Sequence, residues 1–172
     1  YVPKTFRERT PKPDGSWTWH GPAPADRVLF NLPALVDCTD RILVEGEKDA
    51  EALRAIGFVA TTTGSASSWQ SRFAAELARL GARRVAILPD ADAPGLAYAR
   101  QAAADLQAAG LEVRVVTLPG VPSGEDAAYW IAAGGTAEAL RALIAAAPVW
   151  TPAAEGEQST KPDDSWIEAG PA

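Results

Sequence analysis

Three carboxylates in this chain stand where they could hold a cation together. Glu45 lies in VEGEKD (44–49), and Asp90 and Asp92 lie in LPDADAPG (88–95). Each segment follows a short run of branched apolar residues, ILV (42–44) and RVAILP (84–89), that reads as a buried strand. Residues at i and i+2 of an extended segment point the same way, so Asp90 and Asp92 can share one ion or a pair of ions. Oxygen donors without a nearby histidine favour Mg²⁺ or Mn²⁺ over zinc. A strand-end acid can also do no more than cap the next helix, and that reading stays open for Glu45 and is the one expected of Glu47 and Asp49. Three acids at two neighbouring strand ends repel one another and need a cation to be tolerated.

The elements that must position them follow from periodicity. From Arg41 the chain alternates strands with helices: a strand at 42–44, a helix KDAEALRAIG closed by Gly57, and a strand FVATT (58–62). A helix SASSWQSRFAAELARLG then opens with a Ser67–Gln70 capping box and carries an apolar stripe of Trp69, Phe73, Leu77 and Leu80. The strand at 84–89, a helix over 95–109, a strand LEVRVVTL (111–118) and a helix over 136–146 complete the series. Crossover helices between successive strands imply a four-stranded parallel α/β sheet covered on both faces. In such sheets ligands bind beyond the carboxyl ends of the strands. Gly46 is expected to allow the tight turn from Glu45 into its helix.

Residues 1–40 lack helical periodicity. FRERTPKPDGSWTWH reads as two short strands joined at Pro-Asp-Gly, and 29–36 as a short helix or loop around Pro33. Trp17 and Trp19 alternate with polar neighbours and are expected to pack on the main sheet, with base stacking as the other reading. His20 reads as a surface residue. Residues 151–172 are rich in Pro, Glu, Asp, Ser and Gly and read as a flexible acidic linker or tail. Trp166 within it is either a docking residue or an incidental aromatic. The expected organisation is a β-rich subdomain over 1–40, an α/β domain over 41–150 and the tail over 151–172.

Composition bounds the function. The formal charge of −6 argues against a chain that holds nucleic acid over its whole surface. The acidity is concentrated, however: from Thr151 onward five acids face one base, whereas in 1–30 Lys4, Arg7, Arg9, Lys12 and Arg27 face Glu8, Asp14 and Asp26. The single cysteine, Cys38, excludes an internal disulfide or a cysteine zinc cluster within this chain and reads as a buried small residue. No apolar run approaches the ~20 residues of a membrane span, so a soluble cytoplasmic protein is expected. The 172 residues contain no methionine, which leads us to expect a piece of a longer chain.

VEGEKDAEAL followed about forty residues later by LPDADAPG resembles the Toprim domain of primases, topoisomerases and some small nucleases, over roughly residues 41–147. The resemblance implies a Rossmann-like Toprim fold in which Glu45 is a general acid/base or metal ligand and Asp90 and Asp92 hold Mg²⁺ (or Mn²⁺). It further implies a metal role for Asp126 in PSGEDAAYWI (122–131), where Tyr129 stands in place of a second acid; Tyr129 and Trp130 are expected to pack that loop onto the sheet. KTFRERTPKPDGSWTWHG and VLFNLPAL resemble the strand-rich lead-in of phage or plasmid primases and primase-helicases. From this follow candidate nucleotide and template contacts at Lys4, Arg7, Arg9 and Arg27. Ser65 and Ser67, in TTTGSASSW (61–69), are candidates to contact phosphate, against a simpler role in helix capping. The function implied is Mg²⁺-dependent RNA primer synthesis from NTPs on single-stranded DNA, with zinc-binding and helicase modules outside this chain. A Toprim nuclease and a non-catalytic metal- or partner-binding module remain the alternatives.

Overall fold

A computed structural model describes residues 9–152. Lys4, Arg7, Trp166 and the tail from residue 153 lie outside the described residues. The chain opens with an antiparallel hairpin, β1 (Thr10–Pro11) and β2 (Trp17–Thr18), in register Thr10↔Thr18 and Pro11↔Trp17. Its turn is the expected one, with Gly15 at φ +82 and Asp14 accepting from the Ser16 N–H and hydroxyl. A 3-10 turn at Pro24–Asp26 and a short helix α1 (Leu32–Leu35) lead into the sheet.

There β3 (Asp40–Leu43), α2 (Glu47–Ala55), β4 (Ala60–Thr61), α3 (Arg72–Arg79), β5 (Arg84–Ile87), α4 (Ala93–Ala108) and β6 (Glu112–Val115) follow one another, and α5 (Ala127–Ala132) and α6 (Ala137–Ala146) close the fold. The four strands are parallel in the order β4-β3-β5-β6. This is the covered parallel sheet that the alternation of elements predicts, with the expected small β-rich extension.

Two cores explain why the strands read as continuous apolar runs. Leu43, Val85, Ile87 and Val113 face α3 and α4, whereas Ile42, Val44, Ala86, Leu88 and Val116 face α2, α5 and α6. Because alternate residues point to opposite faces and both are covered, polar alternation disappears. Arg41 breaks the apolar run yet is only 2% exposed. Its guanidinium donates to the carbonyls of Leu35, Leu77 and Leu80, so one fork satisfies the carboxyl ends of α1 and α3.

Several expectations are corrected. The Ser67–Gln70 capping box does not form: a 3-10 turn occupies Ala66–Ser68, and α3 starts at Arg72 behind Ser71, without a side-chain cap. Trp69 therefore precedes the helix, donates its Nε1 proton to Asp105 at 2.8 Å and packs edge-on against Tyr98. Trp17 and Trp19 do not pack on the main sheet but are 47% and 65% exposed. Cys38 is half-buried rather than buried, its Sγ donating to the Asp40 carbonyl. α5 is a helix where a loop is expected, since six residues are too few to show a helical period. Trp130 on it is buried as expected, while Tyr129 faces outward. No helix among the described residues is long and apolar enough to cross a membrane.

Candidate metal centre

β3 and β5 are adjacent and parallel, with Leu43 opposite Ile87, so the segments leaving them emerge side by side. Glu45 and Asp90 meet there: the Asp90 N–H donates to Oε1 of Glu45 at 3.1 Å. Glu45 does not cap its own helix, because the N-cap of α2 is Gly46 without a side-chain cap. Gly46 is extended at φ −117, a conformation open to any residue, so the expected glycine turn is not its reason. A Cβ there would instead come within 3.0 Å of Asp49 Oδ2. The Glu45 carbonyl is fixed by Thr62 Oγ1 at 2.6 Å, which ties the loop after β4 to the same point.

Asp92 caps α4, its Oδ1 accepting from the Gly95 N–H at 2.7 Å, with Pro94 in the first turn. Gly95 itself is buried against the cluster: a Cβ would lie 2.6 Å from the Asp90 carbonyl oxygen and 2.7 Å from Glu45 Oε1. Asp126 caps α5 through the Tyr129 N–H at 2.8 Å and pairs with Lys48 Nζ at 3.0 Å. The loop bearing Asp126 is laced to the loop bearing Asp90 by Ala91 N–H to the Glu125 carbonyl and Gly124 N–H to the Ala91 carbonyl.

Sequence reasoning missed Asp49. It does not cap α2 as expected; it is buried and accepts from the Ala128 N–H of α5 at 2.9 Å, joining α2 to the Asp126 loop. Its place three residues after the N-cap is the ordinary position for a capping acid, so only the packing of α5 on α2 reveals it.

The electrostatics are those of crowded anions. Burial, then the charges of Glu45, Asp49, Asp126 and Asp92, push the Asp90 carboxyl up to about 7. Burial raises Glu45, against the Asp90 N–H bond that lowers it, and burial raises Asp49. Lys48 is raised by its bond to Asp126. The Tyr98 hydroxyl, buried near Glu45 and Asp90, is also held well above its usual range, mainly by burial.

Among the described residues no three Asp, Glu, His or Cys side chains close on one point as a finished ion cage. The reason is local: Asp92 and Asp126 are turned onto helix N–H groups and Glu45 onto Asp90 N–H. Within the described residues Oε2 of Glu45, Oδ2 of Asp92 and both carboxyl oxygens of Asp90 accept no hydrogen bond, which leaves hard oxygen donors facing a site short of positive charge. That donor set fits a divalent cation.

The remaining predicted site residues gather less closely. Ser65 and Ser67 belong to the loop after β4, but the Ser65 hydroxyl is shared with Ser67 at 3.2 Å and Ser68 at 2.7 Å. Arg9 stacks over the Trp17 ring at 4.1 Å, and Arg27 is half-buried with its carbonyl held by Arg72. A cavity of about 600 Å³ lies at the opposite edge of the sheet, among Asp40, Ile42, Phe58, Arg84, Glu112 and Arg141, away from the carboxylates.

The Toprim-like family profile matches residues 42–130, from the middle of β3 into α5, and so spans each of the five carboxylates. The chain belongs to the Toprim-like family. Among solved structures, this Toprim chain is similar to the Aquifex aeolicus primase comprising zinc-binding and RNA polymerase domains: 31% identity, a TM-score of 0.55, 64% of this chain and 26% of that one covered. A DNA primase domain from Pseudomonas aeruginosa gives 28% identity, a TM-score of 0.54 and coverage of 64% and 34%. A chain from the bacteriophage T7 structure of lagging-strand DNA polymerase with gp4 primase domains matches at 17% identity and a TM-score of 0.56, over 84% and 72%; this likeness is one of fold. The Toprim domain is therefore of the primase type. It spans about a quarter to a third of the two bacterial primase chains. No curated protein sequence matches it.

Proposed function

We propose that this Toprim domain is the catalytic metal-binding part of a DNA primase, joining nucleoside triphosphates into an RNA primer on single-stranded DNA. The observation that carries the reading is the meeting of Glu45 and Asp90 across two adjacent strand ends, with Asp92 two residues on, in a fold similar to primase domains. Glu45, Asp90 and Asp92 would hold Mg²⁺ or Mn²⁺, with Asp126 and Asp49 behind them. When bound, the ion supplies charge neutralisation on the triphosphate and a lowered pKa for the attacking 3′-hydroxyl.

The protein's own groups set the stage for that chemistry. Thr62 and the Asp90 N–H fix Glu45 at its carbonyl and at Oε1, so the carboxylate is oriented before substrate arrives. Without an ion the Asp90 carboxyl sits at about 7, so a proton and a divalent cation would compete for the same oxygens near physiological pH. Lys48, the cation at the mouth of the cluster, is placed to exchange Asp126 for a phosphate oxygen. The similar structures hold a zinc-binding domain, an RNA polymerase domain and a DNA polymerase, and by that likeness template-reading and replication modules would act together with this domain.

The test joins binding and chemistry. Isothermal titration with Mn²⁺ should show saturable binding that Asp90→Asn abolishes, and Mg²⁺-dependent dinucleotide synthesis on single-stranded DNA should disappear with it. Unchanged synthesis by Asp90→Asn would sink the proposal. Shortening of labelled DNA in Mn²⁺, with no synthesis, would replace it by a nuclease.

A further inference from the structure

Parallel sheets are normally covered by helices on both faces, yet charged side chains stand on inner strands of this one. Asp40, Arg84 and Glu112 are in register at the start of β3, β5 and β6, and Ile42, Ala86 and Arg114 are in register two residues on. Alternation puts all six on the face that α2, α5 and α6 cover. The helices part over them. Phe58, past the end of α2, and Arg141, Ile144 and Ala145 of α6 line the same cavity as the six strand residues. Its volume of about 600 Å³ falls in the range of roughly 300–1,000 Å³ that takes small ligands.

The lining supplies two kinds of contact. Ile42 and Ala86 are buried and, with Phe58 and Ile144, offer an apolar bed. The arginines are not equivalent. Arg84 is held by both carboxyl oxygens of Asp40, and Arg114 by Glu112 and by the carbonyls of Ile144, Ala145 and Ala147. Arg41 turns to the other face of the sheet, onto Leu35, Leu77 and Leu80. Arg141 alone among the lining arginines bonds no carboxylate or carbonyl within the described residues; it is exposed, and its guanidinium lies 5.1 Å over the Phe58 ring. With Asp40 and Glu112 already paired, the cavity's uncompensated charge is that of Arg141. A guanidinium offers N–H donors at its edge to an anion and a flat face to an aromatic ring.

We propose that this cavity binds a small aromatic anion, with its ring among Ile42, Ala86, Phe58 and Ile144 and its anionic group on Arg141. An aromatic carboxylate and a nucleoside monophosphate share that chemistry. The site stands at the amino ends of β3 and β5, whose carboxyl ends lead to Glu45 and Asp90, so it neither needs the metal centre nor blocks it.

The test is a fluorescence titration of the full chain with anilinonaphthalene sulfonate, an aromatic anion whose emission rises in an apolar site, in EDTA, with naphthoate and AMP as competitors. Saturable binding is expected. Displacement by naphthoate alone supports the site and marks it for an aromatic acid, and displacement by AMP alone supports it and marks it for a nucleotide. Arg141→Gln should weaken binding about tenfold, the loss of one charge-assisted hydrogen bond. Ala145→Glu should weaken it as well, by placing an acid at the mouth. Both side chains are exposed, so both variants should keep the wild-type circular dichroism and melting temperature. Amide NMR shifts of Gly57, Phe58, Ala86 and Ala145 should move on binding while those of Asp90 and Asp92 stay. No saturable binding, displacement by neither competitor, equal binding by the two folded variants, or shifts confined to another surface would each overturn the proposal. With metal chelated, none of these outcomes depends on primer synthesis.

Discussion

The backbone N–H of Asp90 donates to Oε1 of Glu45 at 3.1 Å, joining the loops that follow β5 and β3. This one bond brings a carboxylate from residue 45 against a loop 45 residues later and places it beside the Asp90 side chain. Both carboxyls are raised by the burial that follows. The first prediction comes from that cost.

Asp90 is held at about 7, above its unfolded value of 3.8. A carboxyl raised on folding stabilises the protein in full below its unfolded pKa, and the contribution is lost as pH rises through the folded pKa. In EDTA the melting temperature should therefore fall between about pH 4 and about pH 7, and Asp90→Asn should flatten the fall. Glu45 and Asp49, also raised, leave a residual slope of the same sign. Mg²⁺ should stabilise the wild type more at the higher pH. Parallel pH profiles for wild type and Asp90→Asn would contradict this origin of the slope.

Gly95→Ala should destabilise, against the usual trend. In a helix Ala is favoured over Gly by roughly 1 kcal/mol, but here a Cβ would meet the Asp90 carbonyl and Glu45 Oε1 at 2.6 and 2.7 Å. Overpacking of this kind costs about 1–3 kcal/mol. Urea denaturation, with Mn²⁺ titration alongside, should show lower stability and weakened metal binding. A stabilised Gly95→Ala would mean the loop yields freely.

Asp49 separates hydrogen bonding from charge. Its Oδ1 accepts from the Ala128 N–H in a buried position among other acids. Asp49→Asn keeps an acceptor and removes repulsion, so stability at neutral pH should hold or rise. Asp49→Ala leaves the N–H unpaired and should cost about 1–3 kcal/mol. Equal losses in the two variants, by chemical denaturation, would refute the distinction.

Lys48 is largely exposed, and its pair with Asp126 should add little to stability. Its effect should appear in binding instead. Lys48→Met removes the cation that shares the cluster, so Mn²⁺ should bind severalfold more tightly while the melting temperature barely moves. Weaker Mn²⁺ binding would show that Lys48 orders the site rather than competing with the ion.

Arg41 should be among the most sensitive positions of the fold. Removing a guanidinium that serves the Leu35, Leu77 and Leu80 carbonyls leaves two buried acceptors and a part-buried one, at a cost of about 3 kcal/mol or more for Arg41→Ala. Arg41→Lys should recover only part, since an ammonium lacks the planar fork. Full stability of Arg41→Lys in urea would disprove the capping role.

What the sequence determined by itself was the order of elements and the chemistry at their ends. Strands buried on both faces and crossover helices admit few topologies, and Glu45, Asp90 and Asp92 were legible because acids directly after apolar runs must emerge at one edge. Only the tertiary structure decided which acid serves which purpose. Asp92 and Asp126 cap helices, Glu45 does not, and Asp49, three residues after a helix N-cap, turns to another helix altogether. Side-chain direction depends on packing between elements far apart in sequence, and no local spacing encodes it. The same holds for Trp17 and Trp19: alternation placed them on one face, but whether that face met the sheet or the solvent depended on how the hairpin was anchored.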